Sequence, residues 1–386
     1  MTMSNERNMI YLCLAHMSEE GLEQKYIKEA FDTNWVVPLG PNVNAFEDNL
    51  KQFVGKDQQG REKEVVALSA GTAAVHLALI ACGVKPGDEV CVQSFTFCAS
   101  SHPITYLGAT PVFIDSERDT WNMDPLALEK ALTKYGNKVK AVVVANLYGT
   151  PAKLDLISEL CEKYGVVLIE DAAESLSATY KGKQTGTFGK YNAISFNGNK
   201  IITTSGGGMF LSDDADAVEK VRFYSTQARD AAPHYQHSEI GYNYRMSNVV
   251  AGIGRGQLLH LEEHRMLKTR IYKRYKEGFE DLPIEMNPYL ECSVPNFWLS
   301  CFTISREAME KVTPEKIRLA LDAENIEARP IWKPMHMQPI YAECDFVTNG
   351  DNVGEDIFAR GLCLPSDIKM TEEQQETVIE IIKGLF

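Results

Sequence analysis

The sequence contains no run of apolar residues long enough to cross a membrane, which takes about eighteen in succession. Its first thirty residues also lack the basic region and the longer apolar stretch of a secretory signal peptide. The nine cysteines are scattered, odd in number and never spaced as Cys-x-x-Cys, unlike those of a secreted disulfide framework or a zinc ribbon. These absences predict a soluble, cytoplasmic protein without a metal site.

Positive charge is also scarce. Lys and Arg number 39 against 53 Asp and Glu, which gives a formal net charge of −14. Because binding to the phosphates of a nucleic acid needs a basic face, this balance argues against a nucleic acid partner. It does not exclude a nucleotide-linked small ligand, since a few local arginines can hold a diphosphate.

Six short apolar runs alternate with helical patterns from about residue 65 onward. They cover residues 65–68, 89–92, 111–115, 141–144, 166–169 and 193–196. Uninterrupted apolar strands separated by helices predict a parallel sheet that is covered on both faces. The sequence therefore indicates an α/β protein, with ligands at the carboxyl ends of the strands.

The pattern changes after Gly256, and a length of 386 residues suits two domains. A charged helical stretch runs from Gln257 to about Gly278, and short mixed strands and helices follow to the end of the chain. We predict a large α/β domain over residues 30–256 and a smaller C-terminal α+β domain over residues 257–386. Residues 1–29 are expected to pack against the smaller domain.

Two features at strand ends suggest a phosphorylated cofactor. Gly71 and Thr72 lie in a small-residue turn that opens a helix after the first strand, where free backbone N–H groups can bind phosphate. Asp171 lies two residues after the fifth apolar run, and a carboxylate there can pair with a protonated pyridine nitrogen. Each feature alone has an ordinary explanation, because such turns and helix-capping aspartates are common at strand ends.

Lys200 adds the third feature. It follows the sixth run and a Gly/Asn turn, and the glycines 206–208 come shortly after it. A desolvated lysine can form a Schiff base, although most loop lysines are simply exposed. The order of phosphate turn, strand-end aspartate and lysine, each after a strand of one sheet, favours a pyridoxal 5′-phosphate (PLP) site.

The sequence resembles the sugar aminotransferases of the DegT/DnrJ/EryC1/StrS family over about residues 16–365. The shared segments are 195–209, 223–229, 241–245 and 329–336. The resemblance implies PLP fold type I, the aspartate aminotransferase-like fold. Within the family, the sequence is most similar to transaminases of the UDP-N-acetylbacillosamine pathway. Sugar dehydratases of the family have histidine in place of Lys200, so the lysine favours amino transfer.

The resemblance also implies roles for individual residues. Lys200 matches the lysine that binds PLP covalently, and Asp171 matches the partner of its pyridine nitrogen. The other implied cofactor contacts are to the phosphate (Gly71, Thr72 and Ser195), the ring face (Phe97), the 3′-hydroxyl (Glu174) and the phosphate of a neighbouring subunit (Asn243). A homodimer is therefore expected.

For the reaction, the resemblance implies L-glutamate as amino donor and a nucleotide-linked keto sugar as acceptor. Candidate sugar-nucleotide contacts are Arg229, Arg329, Lys333 and His336, each equally explained as a surface or interface residue. We expect amination at carbon 4 of a UDP-linked 4-keto-6-deoxy-N-acetylhexosamine. The alternatives are GDP-linked 4-keto-6-deoxymannose, a dTDP-linked or 3-keto sugar, and a PLP-binding regulatory protein without turnover.

Overall fold

A computed structural model describes residues 9–57 and 59–386. Its helices are α1 (Leu22–Asp32), α2 (Pro41–Val54), α3 (Gly71–Ala81), α4 (His102–Tyr106), α5 (Pro125–Tyr135), α6 (Leu154–Tyr164), α7 (Ala215–Ser225), α8 (Asn248–Leu258), α9 (Leu261–Gly278), α10 (Pro314–Asp322), α11 (Val353–Arg360) and α12 (Glu372–Lys383). Its strands are β1 (Glu64–Leu68), β2 (Glu89–Gln93), β3 (Thr110–Ile114), β4 (Val139–Ala145), β5 (Val167–Asp171), β6 (Thr179–Tyr180), β7 (Lys183–Gln184), β8 (Tyr191–Ser195), β9 (Gly208–Ser212), β10 (Ile284–Met286), β11 (Ser293–Val294), β12 (Ser300–Ile304), β13 (Arg329–Pro330), β14 (Phe346–Val347) and β15 (Gly361–Leu364).

The large sheet confirms the predicted α/β class. Its strand order is β1-β9-β8-β5-β4-β2-β3-β14, and all six predicted runs are strands of it. The six neighbouring strands β8, β5, β4, β2, β3 and β14 pair in parallel. Strand β9, in contrast, is antiparallel to both of its neighbours, β1 and β8. The antiparallel β9 and the edge strand β14 were not predicted.

Both faces of this sheet are buried, which explains why its strands are continuously apolar. Along β4, Val143 packs in the apolar cluster that contains α3. Its neighbours Val142 and Val144 belong to the cluster that contains α5 and α6 on the other face. Successive side chains of a strand point to opposite faces, so neither face of β4 can be polar.

The C-terminal part forms a second sheet, ordered β10-β12-β15-β13 and antiparallel throughout. The predicted helix from Gln257 to Gly278 is wrong at its start, because Gln257 lies in α8 and α9 begins at Leu261. Helix α8 packs closely on α1, since a Cβ on Gly256 would lie 2.8 Å from the Glu23 nitrogen. The break between α8 and α9 allows α8 to pack on α1 while α9 packs in the apolar core of the C-terminal part.

The N-terminal segment contacts both parts of the chain. Ile10 forms a β-bridge with Ile326, and His16 Nε2 lies 2.7 Å from Asp367 Oδ1, both in the C-terminal part. Helix α1, in contrast, packs on α8. The domain limits 30–256 and 257–386 stay a prediction, and residues 1–8 of the predicted N-terminal segment lie outside the described residues. No helix within residues 9–57 and 59–386 is long and apolar enough to span a membrane.

Candidate active site

A cavity of about 530 Å³ opens at the carboxyl ends of the large sheet. Side chains from the ends of β5 and β8 and from the start of α3 form one part of its wall. Trp298, Arg329 and Trp332 of the C-terminal part form another. Eight predicted site residues line it: Gly71, Thr72, Phe97, Asp171, Glu174, Ser195, Lys200 and Arg329.

Two glycines bring the turn at the start of α3 against β8 and β9. A Cβ on Gly71 would lie 2.8 Å from Ser195 Cβ, and one on Gly208 would lie 2.4 Å from the Ala70 carbonyl carbon. Ala70 caps the helix without a side-chain hydrogen bond to its first turn. The start of α3 and the hydroxyls of Thr72 and Ser195 therefore line one region of the cavity. We call it the phosphate region, because this donor set suits a phosphate group.

Asp171 is fixed at the end of β5 by two hydrogen bonds. Its carboxylate accepts one from Ser100 Oγ at 2.7 Å and one from the Ala173 backbone N–H at 3.1 Å. Burial raises the pKa of Asp171, while these two donors and the charge of Lys200 oppose the rise. A cation placed in the cavity beside this carboxylate, such as a protonated ring nitrogen, would stabilise its ionised form.

Lys200 reaches the same cavity from the loop after β8. Its Nζ lies 3.3 Å from Glu174 Oε1 and 4.1 Å from the ring centroid of Trp298. Glu174 also accepts a hydrogen bond from the Tyr148 backbone N–H at 2.8 Å. Burial raises the pKa of Glu174, and the Lys200 charge opposes that rise. The amine therefore lies within the cavity that Asp171 and Glu174 also line.

Phe97 presents an open aromatic face in the cavity wall. It is 52% exposed, and its ring centroid lies 5.3 Å from that of Trp332. A planar ligand can stack on such a face without any movement of the apolar core. Together with the phosphate region, Asp171 and Lys200, this face fits the shape and charges of PLP.

Three other candidates, Asn243, Arg229 and Lys333, are exposed and do not line the cavity of the single chain. Asn243 forms a β-bridge with Thr226, and the Arg229 guanidinium stacks 4.3 Å from the ring centroid of Tyr235. The structure therefore separates these residues from Lys200 within one chain.

His336 is not brought to the cavity either. Its Nδ1 lies 2.6 Å from Ser94 Oγ and its Nε2 lies 2.9 Å from Glu355 Oε1. Its ring also stacks on Phe346, with centroids 3.7 Å apart. Because both ring nitrogens have partners within the chain, this geometry ties the His336 loop to the end of β2. A contact of His336 with the sugar stays a prediction.

Sequence reasoning missed Ser100 and Trp298. Ser100 follows Phe97 by three residues in a short 3₁₀ turn, and this proximity to a predicted site residue was the only local signal. Trp298 reaches Lys200 from a loop almost one hundred positions further along the chain, with no local motif to mark it. Among residues 9–57 and 59–386, no group of three His, Cys, Asp or Glu side chains is arranged to hold a metal ion.

The sheet, the phosphate region, the buried aspartate and the cavity lysine define a PLP-dependent aminotransferase of fold type I. A sequence model of the DegT/DnrJ/EryC1/StrS aminotransferase family matches residues 17–383, and the chain belongs to this family. The family resemblance expected from the sequence is thus confirmed, as are the fold class and the cofactor.

Two curated relatives and one solved structure match nearly the whole chain. The chain is 52% identical over 383 residues to "Putative pyridoxal phosphate-dependent aminotransferase EpsN" of Bacillus subtilis, covering 98% of this chain and 96% of that protein. It is 36% identical over 362 residues to GDP-perosamine synthase of Caulobacter vibrioides, covering 93% and 94%. A DegT DnrJ EryC1 StrS aminotransferase from Brucella abortus has a TM-score of 0.86 at 27% identity, covering 95% of each chain.

Proposed function

We propose that this aminotransferase moves the amino group of L-glutamate to carbon 4 of a UDP-linked 4-keto-6-deoxy-N-acetylhexosamine. The product would be a UDP-2-acetamido-4-amino-2,4,6-trideoxyhexose for a surface polysaccharide or another glycan. The placement of the Lys200 amine in the same cavity as Asp171 and the phosphate region carries the amino-transfer part of this proposal. The choice of sugar is supported by the segments shared with the UDP-sugar transaminases.

The residues of the cavity divide the work of the reaction. PLP, when bound, supplies the electron sink that makes a proton on the donor's α-carbon removable. In the first half of the reaction, Lys200 Nζ would take that proton as a base and, as an ammonium, pass it to the cofactor. In the second half the direction is reversed, and the ammonium would deliver a proton to carbon 4 of the sugar. The buried carboxylate of Asp171 would keep the ring nitrogen of bound PLP protonated.

Arg329 is the proposed contact for the diphosphate of the sugar nucleotide. It lines the cavity, its side chain is 66% exposed, and Nη2 lies 2.6 Å from Glu327 Oε1. An exposed guanidinium at the cavity wall can turn toward a diphosphate without breaking a buried contact. Arg229 and Lys333, outside the cavity of one chain, stay further candidates for sugar-nucleotide binding.

Arg329→Ala is expected to raise the KM for the sugar nucleotide by about 10-fold, the effect of losing one charge-assisted hydrogen bond, and to leave the KM for glutamate unchanged. Steady-state kinetics with each substrate varied in turn measure both effects. Arg306→Ala is the matched control, because Arg306 has the same 66% exposure and pairs with Asp356 at 3.0 Å. Equal changes for both substrates in Arg329→Ala would refute the proposed contact.

A GDP-linked 4-keto-6-deoxymannose is the second candidate substrate. The observation that favours it is the 36% identity to GDP-perosamine synthase over 93% of this chain. Both candidates place a ketone at carbon 4 of a 6-deoxy sugar, so the same lysine chemistry applies to either. They differ in the nucleotide and in the group at carbon 2.

The direct experiment supplies purified protein with PLP and L-glutamate and offers UDP-2-acetamido-4-keto-2,6-dideoxyglucose or GDP-4-keto-6-deoxymannose in separate reactions. Mass spectrometry and proton NMR of the sugar nucleotide identify the product. A UDP-linked 4-amino sugar is expected, and its coupling constants at carbon 4 assign gluco or galacto configuration. Amination of the GDP sugar alone would replace the UDP proposal, and amination of neither would reject both substrates.

The family resemblance also leads us to expect a homodimer in which Asn243 completes the partner's phosphate site. Two exposed apolar regions support an interface. One is the segment before α2, where Trp35, Val36, Val37 and Leu39 are 40–53% exposed. The other is the loop before Asn243, where Tyr235 is 79% and Ile240 is 86% exposed. Apolar surface of this kind is typical of subunit contacts.

Mixing two variants tests the shared site. Lys200→Arg and Asn243→Ala should each have low activity alone, because one lacks the base and the other weakens phosphate binding across the interface. A mixed dimer holds one site with Lys200 from one chain and Asn243 from the other, so subunit exchange should restore activity. A monomer in sedimentation, or no recovery despite proven exchange, would contradict the shared site.

A further inference from the structure

Trp298 lies against Lys200 although it belongs to the C-terminal part, just before β12. The Lys200 Nζ is 4.1 Å from its ring centroid, and both side chains line the cavity. Tryptophan gives the strongest cation–π contact of the aromatic side chains, and the contact strengthens where water is excluded. The indole therefore offers a cation–π contact to a lysine ammonium at this position.

A second contact joins Trp298 to the backbone next to Lys200. The indole Nε1–H donates a hydrogen bond to the Asn199 carbonyl at 2.6 Å. Asn199 immediately precedes the lysine, so Trp298 holds the loop and the amine at the same time. The Trp298 side chain thus restricts both the position of the backbone next to Lys200 and the position of the Lys200 Nζ.

Trp298 is itself held rigidly. It is 2% exposed, and its backbone N–H donates to Asn296 Oδ1 at 2.9 Å. The Asn296 side-chain amide donates to the Glu174 carbonyl at 2.8 Å. The loop that carries Trp298 therefore also fixes the segment of Glu174, which is the nearest carboxylate partner of Lys200.

We infer that Trp298 is a positioning residue for Lys200. It holds the lysine ammonium in place after Lys200 has taken a proton from one carbon and before it delivers the proton to the next. This inference rests on the proposed function, in which Lys200 moves that proton. Glu174 and Asp171 are the charged groups that also face the lysine, and Trp298 adds a face without negative charge. A π face can hold an ammonium but cannot take its proton, whereas a carboxylate can take it.

The test measures acetylation of Lys200 by acetic anhydride in the cofactor-free protein across a range of pH, with mass spectrometry of the Lys200 peptide. In Trp298→Leu, the pH of half-maximal labelling should fall by about 1 unit, a tenfold change toward the free amine. Trp298→Phe keeps a weaker π face and should show a smaller fall. A change in access to Lys200 alone would alter the rate at every pH and leave the midpoint in place.

Trp121→Phe is the matched control, because Trp121 is 5% exposed in the same apolar cluster as Trp298 and does not line the cavity. Its midpoint should equal that of the unmodified protein. If Trp298→Leu does not fold, Trp298→Met supplies another side chain without a π face. No fall in the midpoint, or equal falls with phenylalanine and leucine, would overturn the inference. The assay contains no donor, PLP or sugar, so failure of the proposed substrate would leave its result unaffected.

Discussion

Replacing Lys200 by arginine is expected to lower turnover by at least about 10³-fold, within the range that general acid–base catalysis contributes. Arginine keeps the positive charge beside Glu174 but stays protonated, so it can neither take a proton nor form a Schiff base. Turnover with glutamate and the sugar nucleotide measures the loss. The absorbance spectrum should show that PLP, if retained, is no longer bound covalently.

Lys183→Arg is the matched control for this substitution. Lys183 lies in β7, is exposed and does not line the cavity, so the same change of side chain occurs outside the site. Its turnover and spectrum should equal those of the unmodified protein. A Lys200→Arg variant with turnover within tenfold of the control would show that the reaction does not need Lys200.

Asp171→Asn is expected to lower turnover by about 100-fold or more, comparable to removal of one electrostatic contact from a buried active site. Asparagine has nearly the same shape: its Oδ1 can accept the hydrogen bond from the Ala173 N–H, and its Nδ2 can donate one to Ser100 Oγ. It lacks the negative charge that keeps a ring nitrogen protonated, so the electron sink weakens while the cavity keeps its form. Rapid-reaction absorbance with glutamate alone measures the effect on the first half of the reaction.

Asp115→Asn controls for loss of a buried strand-end carboxylate. Asp115 follows β3, is 1% exposed and accepts hydrogen bonds from the backbone N–H groups of Val353 and Gly354. It is not part of the cavity lining, so its replacement should lower stability and leave the glutamate reaction of the folded protein intact. Equal slowing by both substitutions would show that Asp171 acts through the fold and not on the cofactor.

The sequence signals that succeeded were local. Asp171 ends an apolar strand, and Gly71 opens a helix soon after another strand. The apolar pattern and the turn residues therefore place both at the carboxyl edge of the sheet. Parallel pairing then brings distant strand ends together without any further information. The six apolar runs were recognisable for the same reason, because burial on both faces requires continuous apolar residues.

The features that sequence reasoning missed depend on tertiary contacts. Strand β14 is two residues long and pairs with β3 from far along the chain. His336 belongs to a segment shared with the family, yet its ring contacts Ser94 and Glu355, which no spacing predicts. The close packing of α8 on α1, which separates α8 from α9, likewise depends on the glycine contact with Glu23.

Covalent trapping of the cofactor is the direct test of Lys200 as the lysine that binds PLP. The protein is saturated with PLP, reduced with sodium borohydride, digested, and examined by mass spectrometry for the modified peptide. A phosphopyridoxyl group is expected on Lys200 and on no other lysine, and it should be lost when L-glutamate is added before reduction. A modified lysine elsewhere, or no covalent PLP at saturation, would contradict the assignment of Lys200 and of the cavity around it.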